Sequence, residues 1–142
     1  MDTRAKIYKR NIEGAPLHQF LGLEIEKIGD REARLTMPIN SHTLNLAGSL
    51  HGGAIYLAAD VAAFAAIGTI LSENEFAVTI DMQCSVYKGT TSGPIVFRAK
   101  VTRRTRRLAF MNVEVSDGEG NLIAETRVTK AITKTVPEVF KA

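Results

Sequence analysis

From Gly53 to Ile67 the chain consists of strong helix formers and is apolar around nearly its whole circumference. A helix of that kind is stable only where protein or lipid encloses it, so the rest of the chain must be arranged around it. The pattern predicts a helix of about twenty residues that ends near Ser72. Asp60 stands at its centre. The run is barely long enough for a bilayer, alanine adds little to insertion, and a carboxylate at the midplane would cost about 2.5–3.5 kcal/mol. No membrane span is therefore expected.

The flanking sequence supplies strands for such an enclosure. Leu23, Ile25 and Ile28 lead into a Gly29-Asp30 turn, after which Ala33, Leu35 and Met37 alternate with charged or polar residues, as in a hairpin. After the helix, four stretches rich in β-branched residues are expected to be strands: Ala77 to Tyr87, Ile95 to Arg103, Leu108 to Ser116 and Leu122 to Ile132. Gly89 to Pro94, the arginines from 103 to 107 and Asp117 to Asn121 supply the turns between them. In the first of these strands Val78, Ile80, Met82, Cys84 and Val86 alternate with Thr79, Asp81, Gln83 and Ser85, which assigns Cys84 to packing and Thr79 to the face away from the helix. The expected order is a hairpin, one buried helix and an antiparallel meander, an α+β architecture in which a curved sheet wraps the helix. The small residues Ala58, Ala59, Ala62, Ala63 and Ala66 suit tight helix-sheet packing.

At 142 residues, with 45% hydrophobic and 23% charged residues, the chain suits one globular domain over residues 1–142. Residues 1–20 read as an arm or short helix, because Gly14 and Pro16 interrupt any longer one. The lone Cys84 forms no intrachain disulfide, and the N-terminus leads into no apolar signal core, which fits a reducing, cytoplasmic setting. A net charge of +3 is too small to imply nucleic-acid binding. The positive charge gathers in Arg103, Arg104, Arg106 and Arg107, either a solvated turn or an anion site, since guanidinium forks match phosphate oxygens.

Two features carry chemistry. From Asn45 through Gly48, His51, Gly52 and Gly53, a polar, glycine-containing loop runs into the helix start. Free amides and the positive end of the helix dipole there favour developing negative charge. Asp60, inside an alanine-rich helix, is costly to bury unless it pairs with a sheet arginine or is put to use. A carboxylate base and a set of oxyanion donors are sufficient equipment for hydrolysing an activated acyl group. No G-x-S-x-G elbow is present around Ser49. His42 and His51 have no other plausible ligands nearby, so neither a metal nor another cofactor is called for.

The spacing of Asn45, His51, Gly52, Gly53 and Asp60, followed by Val78, Thr79, Ile80, Asp81 and Met82, resembles the hotdog-fold acyl-CoA thioesterases of the phenylacetate-degradation type. Leu21, Gly22 and Leu23, and the stretch from Arg103 to Ala109, extend the resemblance to residues 17–132. Ser85 to Gly89 departs from it, since such proteins often carry Asn and an Arg-Pro pair there. The resemblance implies hydrolysis of an acyl-CoA substrate in which the Gly52 amide polarises the thioester carbonyl while Asn45 and His51 fix the reacting group. It further implies that Asp60 is general base or nucleophile, that Thr79 positions the attacking water, and that CoA lies near the arginines, with Gly53 also against the substrate. A hydratase or dehydratase on the same fold, or a non-catalytic acyl-CoA sensor, are the competing readings. Geometry adds an oligomer. Gly52 and Asp60 are eight steps apart, roughly 12 Å along one helix, too far to serve one carbonyl. Two antiparallel helices across a twofold axis would solve this, in a dimer or a dimer of dimers.

Overall fold

Residues 2–141 are described by the computed structural model. Two helices, α1 (Thr3–Gly14) and α2 (Pro16–Leu21), form the N-terminal arm, and the break between them falls where Gly14 and Pro16 require it. Asp2 caps α1 by accepting from the Ala5 amide at 2.7 Å. Gly22 closes α2 in the left-handed region with φ 74°, where a Cβ would also lie 2.7 Å from the Pro38 ring.

Strands β1 (Glu24–Gly29) and β2 (Glu32–Met37) form the expected hairpin. Its tight turn sits at Asp30 and Arg31, one residue later than expected, and both have positive φ. A bulge between Ile25 and Lys27 explains why Ile25 and Ile28, three residues apart, share the buried face.

The central helix α3 spans Gly52–Gly68, 17 residues, and stops short of the expected Ser72. Thr69 ends it: its hydroxyl donates to the Ala66 carbonyl at 2.9 Å, and the Ile70 amide closes a tight turn onto Ile67. Ala58, Ala59, Ala62, Ala63, Ala65 and Ala66 are fully enclosed, which lets the sheet approach the helix closely. Enclosure is incomplete on one side, however. Gly53, Tyr56, Leu57 and Asp60 form a stripe at helical spacing that this chain leaves at least partly open. Among the described residues no helix is long and apolar enough to cross a membrane.

Strands β3 (Phe76–Val86), β4 (Ile95–Arg104), β5 (Leu108–Ser116) and β6 (Leu122–Thr133) complete one antiparallel sheet in the order β1-β2-β4-β5-β6-β3, which curves around α3. This corrects the expected meander. Of the four strands after α3, only β4, β5 and β6 follow one another; β3 crosses to the far edge and pairs with β6, while β4 joins the hairpin through β2. Turn chemistry marks where strands end but not which strand each will meet, and residues 87–94 are long enough to carry the chain across. The core between sheet and helix holds Leu35, Met37, Phe97, Met111, Val113 and Val128. At the C-terminal end of α3, Tyr8, Phe64, Phe76 and Phe140 pack ring against ring. A Cβ at Gly68 would run into the Tyr8 ring.

Candidate active site

The loop before α3 is pinned by its own hydrogen bonds. Asn45 Oδ1 accepts from the amides of Ala47 (2.9 Å) and Ser49 (3.0 Å), and Asn45 Nδ2 donates to Ser49 Oγ at 3.1 Å. The His51 amide donates to the Thr43 carbonyl at 2.7 Å, and the Leu50 amide to Thr90 at 2.9 Å. These contacts hold His51 at the N-cap, where its Nδ1 accepts from the Gly53 amide at 2.8 Å and leaves Nε2 to carry the ring proton. The two glycines are therefore unlike. The Gly53 amide is consumed by the cap, whereas the Gly52 amide has no hydrogen-bond partner among the described residues. Asn45 and His51 line a shallow depression with Leu44, Leu46 and Ala47. An anionic oxygen there would meet the free amide and the positive end of α3.

Asp60 lies two turns further along α3, its side chain 37% exposed. Its Oδ1 accepts from the Thr79 hydroxyl at 2.6 Å and from Lys130 Nζ at 3.2 Å, and Lys130 also donates to Thr79 at 2.6 Å. Oδ2 makes no hydrogen bond among the described residues. Thr79 thus faces the helix, which corrects the expected alternation. A bulge at Ile80 shifts the phase of β3, so Ala77 and Thr79 share the inner face with Met82, Cys84 and Val86, while Val78 turns outward. Cys84 is half-buried against the core, as a packing residue.

Lys130 was not anticipated. It is 2% exposed, beneath the Phe64 ring at 5.5 Å, and burial pushes its ammonium group below its ordinary range, while the Asp60 charge pulls the other way. The sequence did hold a signal, because Thr126, Val128, Lys130 and Ile132 follow the inward period of a strand and a lysine is out of place there. Asp60 is paired with a sheet cation, as one reading allowed, but with lysine rather than arginine.

The arginines divide. Arg104 grips Glu75 through both terminal nitrogens, at 3.1 and 2.5 Å, and this contact above all holds the Glu75 carboxyl at about 2. Arg103, Arg106 and Arg107 are exposed around the β4–β5 turn. That turn lies near Lys130, because Ala109 pairs with Arg104 on one side and with Lys130 on the other. Within one chain, then, Asn45, His51, Gly52 and Gly53 form one group at the head of α3, and Asp60, Thr79 and Lys130 form another in its middle. No hydrogen bond joins them.

Residues 47–124, over half of the chain, match the thioesterase superfamily. The chain belongs to the thioesterase superfamily. Its enzymatic class is thioester hydrolysis, and its architecture is the hotdog fold of its structural neighbours. A protein of Sulfurisphaera tokodaii provisionally named an esterase is 30% identical over 125 residues, 88% of this chain and 92% of the relative. The 1,4-dihydroxy-2-naphthoyl-CoA hydrolase of Escherichia coli is 30% identical over 115 residues, 80% of this chain and 83% of its own length. Among solved structures, a mutant of the phenylacetic acid degradation protein PaaI from Thermus thermophilus superposes with a TM-score of 0.75 at 29% identity, covering 82% of this chain and 98% of that one.

Proposed function

We propose that this thioesterase hydrolyses acyl-CoA thioesters to the free acid and CoA, at sites shared between two copies of the chain. The observation that carries the reading is the division of α3, with an unpartnered Gly52 amide at its head and a carboxylate with one free oxygen, Asp60 Oδ2, in its middle. A single reacting carbonyl needs a donor and an attacking water each within about 3 Å. Eight helical steps place these groups roughly 12 Å apart. Antiparallel packing of two α3 helices would bring Asp60 of one chain to the Gly52 of the other. The open stripe of Gly53, Tyr56 and Leu57 supports that packing, as does the free edge of β3, where Ile80 is 58% exposed. A dimer of dimers would bury further surface without altering the site.

In this arrangement the thioester oxygen lies on the Gly52 amide, with Asn45 and His51 fixing the loop and the acyl group and Gly53 allowing close approach. Asp60 Oδ2 takes a proton from water as the hydroxide adds to the carbonyl carbon. The Thr79 hydroxyl has already given its hydrogen to Asp60 and accepted one from Lys130, so it retains a lone pair to accept the water's second hydrogen. Collapse breaks the C–S bond, and the proton on Asp60 passes to the departing sulfur. Direct attack by Oδ2, giving a mixed anhydride that water then cleaves, uses the same atoms. Arg103, Arg106 and Arg107 meet the CoA phosphates, while Arg104 steadies the turn through Glu75. The CoA assignment is supported by the exposed arginines and by the Escherichia coli relative, named for a CoA thioester.

Release of free thiol from a panel of acyl-CoAs tests this. Wild-type protein should turn over at least one member, and Asp60→Asn should lose about 10²- to 10⁴-fold in rate while remaining folded. Asparagine at near wild-type turnover would remove Asp60 from the chemistry.

A further inference from the structure

We infer that Lys130 is the positioning residue of this site: its ammonium group clamps Asp60 Oδ1 and Thr79 together, so that Oδ2 alone is presented for catalysis. The inference rests on the reading of Asp60 as base or nucleophile. Three contacts close a triangle, Lys130 to Thr79 at 2.6 Å, Thr79 to Asp60 at 2.6 Å and Lys130 to Asp60 at 3.2 Å, and both donors converge on the same carboxylate oxygen.

A buried ammonium group is costly, and an apolar residue would pack beneath Phe64 without that cost. Among the described residues Lys130 has two polar partners, Thr79 and Asp60. β5 places Ala109 beside it, β3 places Thr79 beside it, and from α3 come Phe64 and Asp60, the one charged group within ion-pair distance among the described residues. Unlike a surface ion pair, this one has a fixed member and a half-open member. Lys130 is 2% exposed, whereas the Asp60 side chain is 37% exposed on the open stripe of α3. The buried cation therefore anchors the open carboxylate and fixes its rotation. A carboxylate free to rotate would exchange its two oxygens and spend part of its time with neither aligned on the water. The clamp also biases Thr79: with a cation donating to its oxygen, the hydroxyl must point its own hydrogen at Asp60 and can only accept from a water.

Lys130→Met preserves the apolar stem and removes the charge. Its kcat should fall about 10- to 100-fold, the size of loss that misplacing a reacting group produces, with KM within twofold of wild type. Unchanged kcat, or a change in KM alone, would overturn the inference. A second measurement requires neither activity nor the Lys130 variant. With lysines labelled at Cε, the carbon resonance of Lys130 should titrate at lower pH in Asp60→Asn than in wild type, since the carboxylate that favours the ammonium form is gone. An identical titration in both proteins would dissolve the coupling. If wild-type protein hydrolyses no acyl-CoA, the proposed function fails by itself, and the titration alone then decides whether the clamp exists.

Discussion

Replacing Glu75 by glutamine isolates the ion pair that fixes the arginine turn. The Glu75 side chain is only 10% exposed, and the Arg104 guanidinium, the Ser72 amide and Lys134 surround it. Together they lower its carboxyl from 4.5 to about 2. At about 1.4 kcal/mol for each pH unit, that difference amounts to roughly 3 kcal/mol of stability. The sign follows from the depressed value. The contribution is complete above the unfolded-state value near 4.5 and is lost as pH falls from there toward about 2. Urea unfolding of wild type and Glu75→Gln, at one protein concentration and at several pH values between 7 and 2.5, should show the variant less stable by about 2–3 kcal/mol at pH 7. The gap should close on acidification as the wild type loses its advantage. A variant within about 0.5 kcal/mol of wild type at pH 7, or a gap independent of pH, would refute the assignment of that stability to the Glu75 carboxylate.

Charge-neutralising Arg103 and Arg106 together should raise KM for acyl-CoA several-fold and leave KM for an acyl-pantetheine unchanged; equal effects on both would detach the turn from the nucleotide. Gly68→Ala should lower stability by about 1–3 kcal/mol by thermal melting, because the new methyl group displaces the fully buried Tyr8 ring. A melting temperature equal to that of wild type would show that the aromatic cluster gives way freely. His51→Ala should cost about 1 kcal/mol in urea unfolding through loss of the cap on the Gly53 amide.

Much of this architecture can be read from residue pattern because it is local. Leu35 and Met37 alternate inward from a hairpin, the alanines of α3 demand a close-packed surface, and Gly14 with Pro16 divides the arm. The elements of the candidate site are legible for the same reason, since a glycine-containing helix start and a carboxylate in an apolar helix are each conspicuous alone. What pattern misses is non-local. The crossing of β3 to the far edge depends on which partner completes the sheet, and no residue of β3 announces it. A one-residue bulge at Ile80 reverses the phase of everything before it, and so Thr79, outward by simple alternation, meets Asp60. Lys130 is hidden by its distance in sequence: a lysine on the inward period becomes informative only once β6 is known to lie between β3 and β5, facing the middle of α3.

The central claim is that each site takes Asp60 from one chain and the head of α3 from another. Mixing two inactive variants, Asp60→Ala and Asn45→Ala, and allowing subunits to exchange in mild denaturant tests it most directly. A hybrid dimer would contain one site in which an intact Asn45 loop meets an intact Asp60, so hydrolysis of acyl-CoA should return, to about half the wild-type rate per hybrid dimer if the two sites act independently. Verified hybrids that stay as inactive as their parents, while wild-type protein survives the same treatment, would contradict the shared site.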